Sequence, residues 1–333
     1  MRHHILILNT GGTLSSVVQE HGLTPGIPTG QMEKELQIVA GGAELTMEDF
    51  SSIDSANIFP EDWADLAAVI AAKRSIYDGI VVIHGTDTLA YTASMLSFML
   101  LNINIPVVLT GSQLSIADPV ADAMENCRCA ICMAASGVPG VFVAFDRKVM
   151  LGCRASKLRT VSFDAFESIN YPYVARISSM GMRIDRFTLP QRTGIFHLKN
   201  QWSSDVAVIR LYPGFKGSVL EKLAEDGCRA FYIEGFGLGG VPFLKNDLNA
   251  VLRRLTSRGI SVLLGTQCRY EGSNLSIYET GRRALDAGVM QAWDMTCEAA
   301  VTKLMWVLGQ TSDPEEIRDY FSLNMCGEVT IQK

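Results

Sequence analysis

Two short polar segments of the sequence combine glycines with side chains that can do chemistry. The segment NTGGTLSS places Thr13 directly after a pair of glycines, and the segment HGTDT places Thr86 and Asp87 directly after another. A hydroxyl group can act as a nucleophile when a neighbouring base takes its proton. A carboxylate can orient such a base or hold a substrate ammonium group. These residue types therefore indicate nucleophilic chemistry on a small polar substrate.

Each segment also has a purely structural interpretation. Paired glycines allow a sharp turn after a strand, and Thr86, Asp87 or Thr88 could cap the helix that follows. His84 by itself is more typical of a structural histidine than of a catalyst. For HGTDT alone, capping and chemistry are equally good explanations, so the choice depends on what else lies nearby.

Two further motifs carry weaker signals. The segment LGCRASKLRT contains Lys157, which becomes a general base only if burial or neighbouring groups lower its pKa. The segment GFGLGG at 235–240 matches the dinucleotide fingerprint G-x-G-x-x-G. That fingerprint also needs an acid at the end of the next strand, and this strand ends in LLGTQC without one. We therefore expect no dinucleotide site there.

Apolar strand-like runs alternate with helical patterns along the chain, which predicts an α/β fold with mostly parallel sheets flanked by helices. Both polar segments follow predicted strands. Because ligands bind beyond the carboxyl ends of parallel strands, the two segments are expected to face one crevice. Strands are predicted at 5–9, 79–83, 105–110, 141–145, 206–211, 230–233 and 261–264, and helices at 60–74, 91–101, 119–135, 245–254, 298–308 and 314–321.

A chain of 333 residues is too long for one comfortable core, which predicts two domains. A polar and less regular stretch separates the two series of strands. We place an N-terminal α/β domain with the catalytic threonines at 1–186, a linker at 187–204, and a smaller C-terminal α/β domain at 205–333.

Composition limits the classes of partner. Hydrophobic residues make up 48% of the chain, charged residues 19%, and the net charge is −6 without a long basic run, which argues against nucleic acid. The apolar run near the N-terminus is too short for a signal peptide, so we expect a cytoplasmic protein. The uncharged stretch 88–117 is interrupted by polar residues and predicts a buried helix and strand, not a membrane span.

The eight cysteines are expected to be reduced thiols in such a compartment. The cluster CRCAIC at 127–132 resembles a metal motif. On an intact helix, however, Cys127 and Cys129 point about 160° apart and Cys127 and Cys132 about 140° apart. We therefore expect small core residues at these positions and no metal site.

Taken together, these segments resemble the bacterial-type L-asparaginase family, most closely its cytoplasmic type I branch. The resemblance runs over nearly the whole chain. The matching segments are TGGTL, DSANIFPEDW, DGIVVIHGTDTLAYTASMLSFML, PVVLTGSQ, RASK, FDAF and DMTCEAAVTKL. The order of TGGT, HGTDT and a downstream lysine is a specific combination.

The resemblance implies hydrolysis of the side-chain amide of L-asparagine through a threonine acyl-enzyme, without cofactor or metal. It implies Thr13 as a nucleophile, a second constellation of Thr86, Asp87 and Lys157, and homodimers or homotetramers. It also implies that Ser55 binds the substrate α-carboxylate and that Asp87 holds the α-ammonium. Backbone N–H groups near Gly12 or Gly85 could stabilise an oxyanion.

Three positions depart from the family pattern. Leu23 stands where a lid tyrosine is common, Ala56 where a polar residue is usual, and Glu234 where the type I branch can carry an arginine of an allosteric asparagine site. The first two leave open a broader amidohydrolase acting on glutamine or a D-amide. The missing tyrosine also leaves open a non-catalytic protein that binds amino acids.

Overall fold

A computed structural model describes residues 2–19, 22–25, 28–191, 194–245 and 247–331. The chain divides into two compact units, Met1–Asn200 and Gln201–Lys333. Both units are α/β, as predicted. The first unit is built around an eight-stranded sheet and the second around a four-stranded sheet.

The large sheet of the first unit has the order β12-β11-β8-β7-β6-β5-β1-β4. The strands from β4 to β7 in this order run parallel, and β8, β11 and β12 continue the sheet antiparallel. The strands are β1 (His4–Asn9), β2 (Ser16–Gln19), β3 (Gly22–Pro25), β4 (Glu44–Asp49), β5 (Gly79–Ile83), β6 (Pro106–Thr110), β7 (Gly140–Phe145), β8 (Lys148–Leu151), β9 (Ala155–Lys157), β10 (Phe166–Ser168), β11 (Ala175–Ser178) and β12 (Gly181–Ile184). Strands β2 and β3 form a separate hairpin, as do β9 and β10.

Helices cover this sheet, and they are α1 (Thr29–Gln37), α2 (Pro60–Lys73), α3 (Leu89–Met99) and α4 (Ala123–Ala134). Every residue of β5 and β6 is buried, which explains their unbroken apolar sequences. Helix α3 is buried on nearly all sides, so the uncharged stretch is core sequence. Within the described residues, no helix is long and apolar enough to cross a membrane.

The second unit has a parallel sheet in the order β13-β14-β15-β16. The strands are β13 (Val206–Arg210), β14 (Ala230–Gly235), β15 (Ser261–Thr266) and β16 (Met290–Gln291), and the helices are α5 (Ser218–Glu225), α6 (Leu248–Ser257), α7 (Glu279–Asp286), α8 (Cys297–Gln310) and α9 (Pro314–Ser322). Phe231, Leu252 and Leu264 belong to one apolar core of this unit. Its sheet is thus packed in the same way as the first.

The glycine-rich segment after β14 does not have the structure that a dinucleotide fingerprint requires. Phe236 and Gly240 form an antiparallel bridge, so the chain folds back on itself there. The next helix, α6, begins only at Leu248, where Asp247 accepts a hydrogen bond from the N–H of Ala250. A fingerprint needs the helix to start at the glycines, so that its N-terminus meets the pyrophosphate.

Several boundaries differ from the sequence prediction. Helix α4 begins at Ala123, not at 119, because Asp122 uses its carboxylate to accept the backbone N–H groups of Gln113 and Leu114. Helix α6 begins three residues later than predicted because of its cap at Asp247. Strand β4 and helix α1 were not predicted, because each is short and buries only two or three apolar side chains.

Cys127 and Cys129 are buried in α4, which agrees with their predicted place in the core. Burial raises the pKa of each thiol to about 12, so both are protonated and unreactive at neutral pH. In the part of the chain that the structure describes, no group of histidines, cysteines and acids is arranged to hold a metal ion.

A buried ion pair fastens the C-terminal segment of the second unit. Lys303 Nζ on α8 lies 2.6 Å from Glu328 Oε1, and neither side chain is exposed to solvent. The N–H groups of Met325 and Cys326 also donate to the Glu328 carboxylate. Burial raises the pKa of Glu328, but Lys303 and these N–H groups outweigh it, and the net pKa is lowered.

Replacing Glu328 by glutamine is expected to destabilise the protein by about 3–5 kcal/mol, because it leaves the buried Lys303 ammonium without its counter-charge. A carboxyl group with a lowered pKa stabilises the fold above its unfolded pKa, and this contribution is lost as the pH falls through the folded pKa. Denaturant unfolding at several pH values would measure both effects. Glu225→Gln, at an exposed position, is the control, and equal stability of the two variants would contradict the prediction.

Candidate active site

The two polar segments begin at the same edge of the large sheet. Strands β1 and β5 are parallel neighbours, and their last residues, Asn9 and Ile83, are register partners. The N–H and the hydroxyl of Thr10 both donate to the carbonyl of Ile83, at 3.0 and 2.9 Å. The fold therefore joins NTGGT and HGTDT where the strand pattern predicted that they would meet.

A close backbone contact joins the two segments beyond the strand ends. A methyl group placed on Gly12 would lie 2.5 Å from Cα of Gly85 and 2.6 Å from its nitrogen. Gly12 also has a φ of +88°, a conformation that side-chain-bearing residues rarely adopt. Thr13 and Thr86 directly follow these two glycines, so the contact sets the relative position of the two threonine backbones.

Replacing Gly12 by alanine is expected to destabilise the protein by about 2–4 kcal/mol, because it adds a backbone clash to the cost of a positive φ. Gly42 is a matched control, since its φ is +94° and no atom lies within 4 Å of a methyl group placed there. Gly42→Ala therefore measures the cost of φ alone. Thermal unfolding of both variants checks this, and equal destabilisation would show that the contact with Gly85 is unimportant.

Lys157 brings the second threonine and the aspartate into one cluster. It lies at the end of β9, and its Nζ donates to Thr86 Oγ1 at 2.8 Å and to Asp87 Oδ1 at 2.6 Å. The lysine side chain is 17% exposed and the aspartate side chain 65% exposed. The cluster thus has a buried hydroxyl at one side and an open carboxylate at the other, with the amine between them.

Ser55 is held against the same segment. It is buried at the start of a short 3-10 turn, Ser55–Asn57, in which Asp54 accepts the N–H of Ala56 at 2.9 Å. A methyl group placed on Gly85 would lie 2.6 Å from Ser55 Oγ. The hydroxyl of Thr88 donates to the carbonyl of Ser55 at 2.8 Å. The Ser55 hydroxyl therefore lies directly against the backbone that carries Thr86.

Thr13 lies in another 3-10 turn, Thr13–Ser15, and is half-buried. Its neighbour Leu14 is buried and accepts the N–H of Ile116 at its carbonyl. Among the described residues, no hydrogen bond joins Thr13 to Thr86, Asp87 or Lys157. The structure therefore brings three of the four predicted catalytic residues into direct contact and places the fourth on the adjoining strand end.

Comparison with known proteins agrees with this arrangement. Residues 4–188 match the family model for the N-terminal domain of asparaginase, and residues 205–321 match that for the glutaminase/asparaginase C-terminal domain. The L-asparaginase of Thermococcus kodakarensis is 42% identical over 98% of this chain and 99% of its own length. A solved structure of the thermostable L-asparaginase from that organism has a TM-score of 0.92, with 41% identity, and covers 99% of this chain and 100% of its own.

Two further relatives are more distant. L-asparaginase 1 of Escherichia coli is 34% identical over 98% of both chains. One chain of the glutamyl-tRNA(Gln) amidotransferase of Thermococcus kodakarensis is 36% identical over 98% of this chain and 76% of its own length. Both family models and these relatives lead to one conclusion.

The chain belongs to the asparaginase family.

Within that family its relatives place it on the type I branch. The asparaginase motifs TGGT, HGTDT and RASK are thus the segments that meet at the edge of the large sheet. The segment PVVLTGSQ supplies a fourth, because it ends β6 beside β5.

The contribution of Gln113 in this fourth segment was not predicted. Its side-chain N–H groups donate to the carbonyls of Thr160 and Ser162, at 3.1 and 3.2 Å, and Thr86 Oγ1 lies 3.5 Å from its Oε1. It therefore links the loop after Lys157 to Thr86. The rule that polar residues at the end of a buried parallel strand face the ligand crevice would have identified it.

His84 has the structural environment that its position suggested. Trp63 Nε1 can only donate, and it lies 2.8 Å from Thr92 Oγ1, which in turn lies 2.9 Å from His84 Nε2. Thr92 therefore donates to Nε2, and the proton on Nδ1 goes to the carbonyl of Gly85, 2.7 Å away. Burial lowers the pKa of His84 to about 4, although its bond to Gly85 acts in the other direction, so the ring is neutral at pH 7.

The three departures from the asparaginase pattern have different surroundings. The backbone of Leu23 lies in β3, but its side chain is outside the described residues. Ala56 is exposed beside Ser55, with its N–H bonded to Asp54. Glu234 in the second unit lies 3.5 Å from Arg210, so the charge at this position is compensated within that unit.

Proposed function

We propose that this protein hydrolyses the side-chain amide of L-asparagine to L-aspartate and ammonia through a threonine acyl-enzyme. The observation that carries the proposal is the cluster in which Lys157 Nζ contacts Thr86 Oγ1 and Asp87 Oδ1 beside the Gly12–Gly85 contact. Such a cluster can move a proton to and from a hydroxyl without histidine. The 42% identity to an L-asparaginase over nearly the whole chain supports this substrate.

In this proposal, Thr13 Oγ attacks the amide carbon of the substrate, and a new C–O bond forms. The hydroxyl proton leaves through the cluster of Thr86, Lys157 and Asp87, and it protonates the departing nitrogen as the C–N bond breaks. Water then attacks the ester, which releases aspartate and returns a proton to Thr13. Backbone N–H groups near Gly12 or Gly85 stabilise the oxyanion formed in each step.

Substrate binding rests on charges at the open side of the site. The exposed Asp87 carboxylate holds the α-ammonium group of the substrate, and the Ser55 hydroxyl binds the α-carboxylate. The distance between these groups and the threonines selects an amide one methylene away from the α-carbon. The same arrangement explains why a compact amino acid, and not a peptide, is the proposed substrate.

Ammonia release from L-asparagine by the purified protein tests the proposal. We expect L-asparagine to give a higher kcat/KM than L-glutamine or D-asparagine, measured in parallel under the same conditions. Robust activity that survives both Thr13→Ala and Thr86→Ala would overturn the threonine mechanism. Binding of L-aspartate by calorimetry without any turnover would instead support a non-catalytic amino-acid-binding protein.

A broader amidohydrolase is the second candidate. The specific observation in its favour is Ala56, whose methyl group stands exposed beside Ser55 and supplies no polar contact to a substrate. The similarity to an amidotransferase chain, 36% over 98% of this chain, shows that the fold is also found under another name. A kcat/KM for L-glutamine equal to that for L-asparagine would favour this alternative.

We further propose a cytoplasmic homodimer or homotetramer, with a domain boundary in the linker 187–204. The first two proposals rest on similarity to asparaginases of the type I branch. Sedimentation of the purified protein would give the oligomeric state.

A further inference from the structure

Thr88 has a side-chain contact that its position in the sequence does not explain. It precedes α3 at the N-cap position, yet its side chain makes no capping hydrogen bond. Its hydroxyl donates instead to the carbonyl of Ser55, 33 residues earlier in the chain, at 2.8 Å. That carbonyl also accepts the N–H of Ile58, which closes the 3-10 turn. Thr88 thus fixes the turn that carries Ser55.

The same short segment holds Ser55 at two points. Thr88 binds its carbonyl, and the backbone of Gly85 lies against its side chain, so close that a methyl group on Gly85 would be 2.6 Å from Oγ and 2.7 Å from Cβ. Between these two points lie Thr86 and Asp87, the residues that contact Lys157. The separation of Ser55 from Thr86 is therefore determined by four consecutive residues.

We propose that Thr88 is a specificity-determining residue that fixes the length of the substrate. The inference rests on the proposed function, in which Ser55 binds the α-carboxylate and Thr86 lies at the side-chain carbonyl. A rigid separation between them fits a side chain with one methylene group. L-glutamine and L-glutamate are one methylene longer, so their two ends cannot reach both groups unless Ser55 moves.

Thr88 acts through Ser55 and is a positioning residue. Without its hydroxyl, the carbonyl of Ser55 keeps the bond from Ile58 but loses its connection to the segment that carries Thr86. The turn can then shift relative to the reacting end of the site. Shorter ligands lose affinity, while longer ones lose little because they require the shift in any case.

Calorimetric titration with L-aspartate and L-glutamate tests this inference without any need for turnover. Thr88→Val keeps the shape of the side chain and removes its hydroxyl, and Thr88→Ser keeps the hydroxyl. We expect Thr88→Val to weaken aspartate binding about tenfold and glutamate binding no more than about twofold. Thr88→Ser is expected to bind both ligands like the wild type, and thermal unfolding checks that each variant is folded.

Equal weakening of both ligands by Thr88→Val, or no change for either, would overturn the inference, as would a wild type that binds glutamate as tightly as aspartate. The proposed function is tested separately by ammonia release from L-asparagine. A wild type without turnover, together with a Thr88→Val variant that shows the shifted ligand preference, would reject the catalytic proposal and leave the role of Thr88 intact. Turnover without the shift would do the reverse.

Discussion

Replacing Thr13 by alanine is expected to lower kcat for L-asparagine at least about a thousandfold, which corresponds to about 4 kcal/mol of transition-state stabilisation. The change removes the hydroxyl that forms the ester, and the residue lies at a turn where no packed side chain replaces it. Binding of L-aspartate is expected to change much less, because Ser55 and Asp87 remain in place. Steady-state kinetics together with calorimetry would separate the two effects.

Two control variants sharpen this test. Thr13→Ser keeps a hydroxyl at the position and should retain a large part of the activity. Thr330→Ala makes the same chemical change at an exposed threonine of the second unit and should leave kcat unchanged. A Thr13→Ala variant with more than about a tenth of the wild-type kcat would show that another residue forms the covalent bond.

Replacing Lys157 by methionine is expected to lower kcat by a similar factor, about a thousandfold. Methionine keeps most of the length of the side chain but removes the group that joins Thr86 Oγ1 to Asp87 Oδ1, at 2.8 and 2.6 Å. The proton of the attacking hydroxyl then has no route to the leaving nitrogen. Lys216→Met, at an exposed position, is the matched control.

The double variant Thr86→Val with Lys157→Met distinguishes a shared role from two separate ones. Residues that act as one unit give non-additive losses, so the double variant should be little worse than either single variant. Lys157→Arg is expected to remain strongly impaired, because a guanidinium group stays protonated and cannot take up a proton. Additive losses in the double variant would contradict a common proton route.

The match between strand pattern and site has a simple physical origin. Continuous apolar runs such as GIVVI form central parallel strands because both faces of the sheet are covered. Their carboxyl ends meet at one edge, so the residues directly after β1 and β5 had to become neighbours. Short, half-buried elements carry no such signal, and α1 and β4 were missed for this reason.

The sequence by itself determined the α/β class, the family and the strand ends at which Thr13 and Thr86 lie. These properties follow from local patterns, since burial on both faces and residue type at a strand end are written in consecutive letters. Only the tertiary structure decided what each polar side chain contacts. Lys157 reaches Thr86 across 71 residues, and Thr88 reaches Ser55 across 33. Hydrogen bonds between such distant segments depend on how the strands and turns pack, and no local pattern specifies them. For that reason, Thr88 could be taken for a helix cap in the sequence, whereas in the fold it holds the turn that carries Ser55.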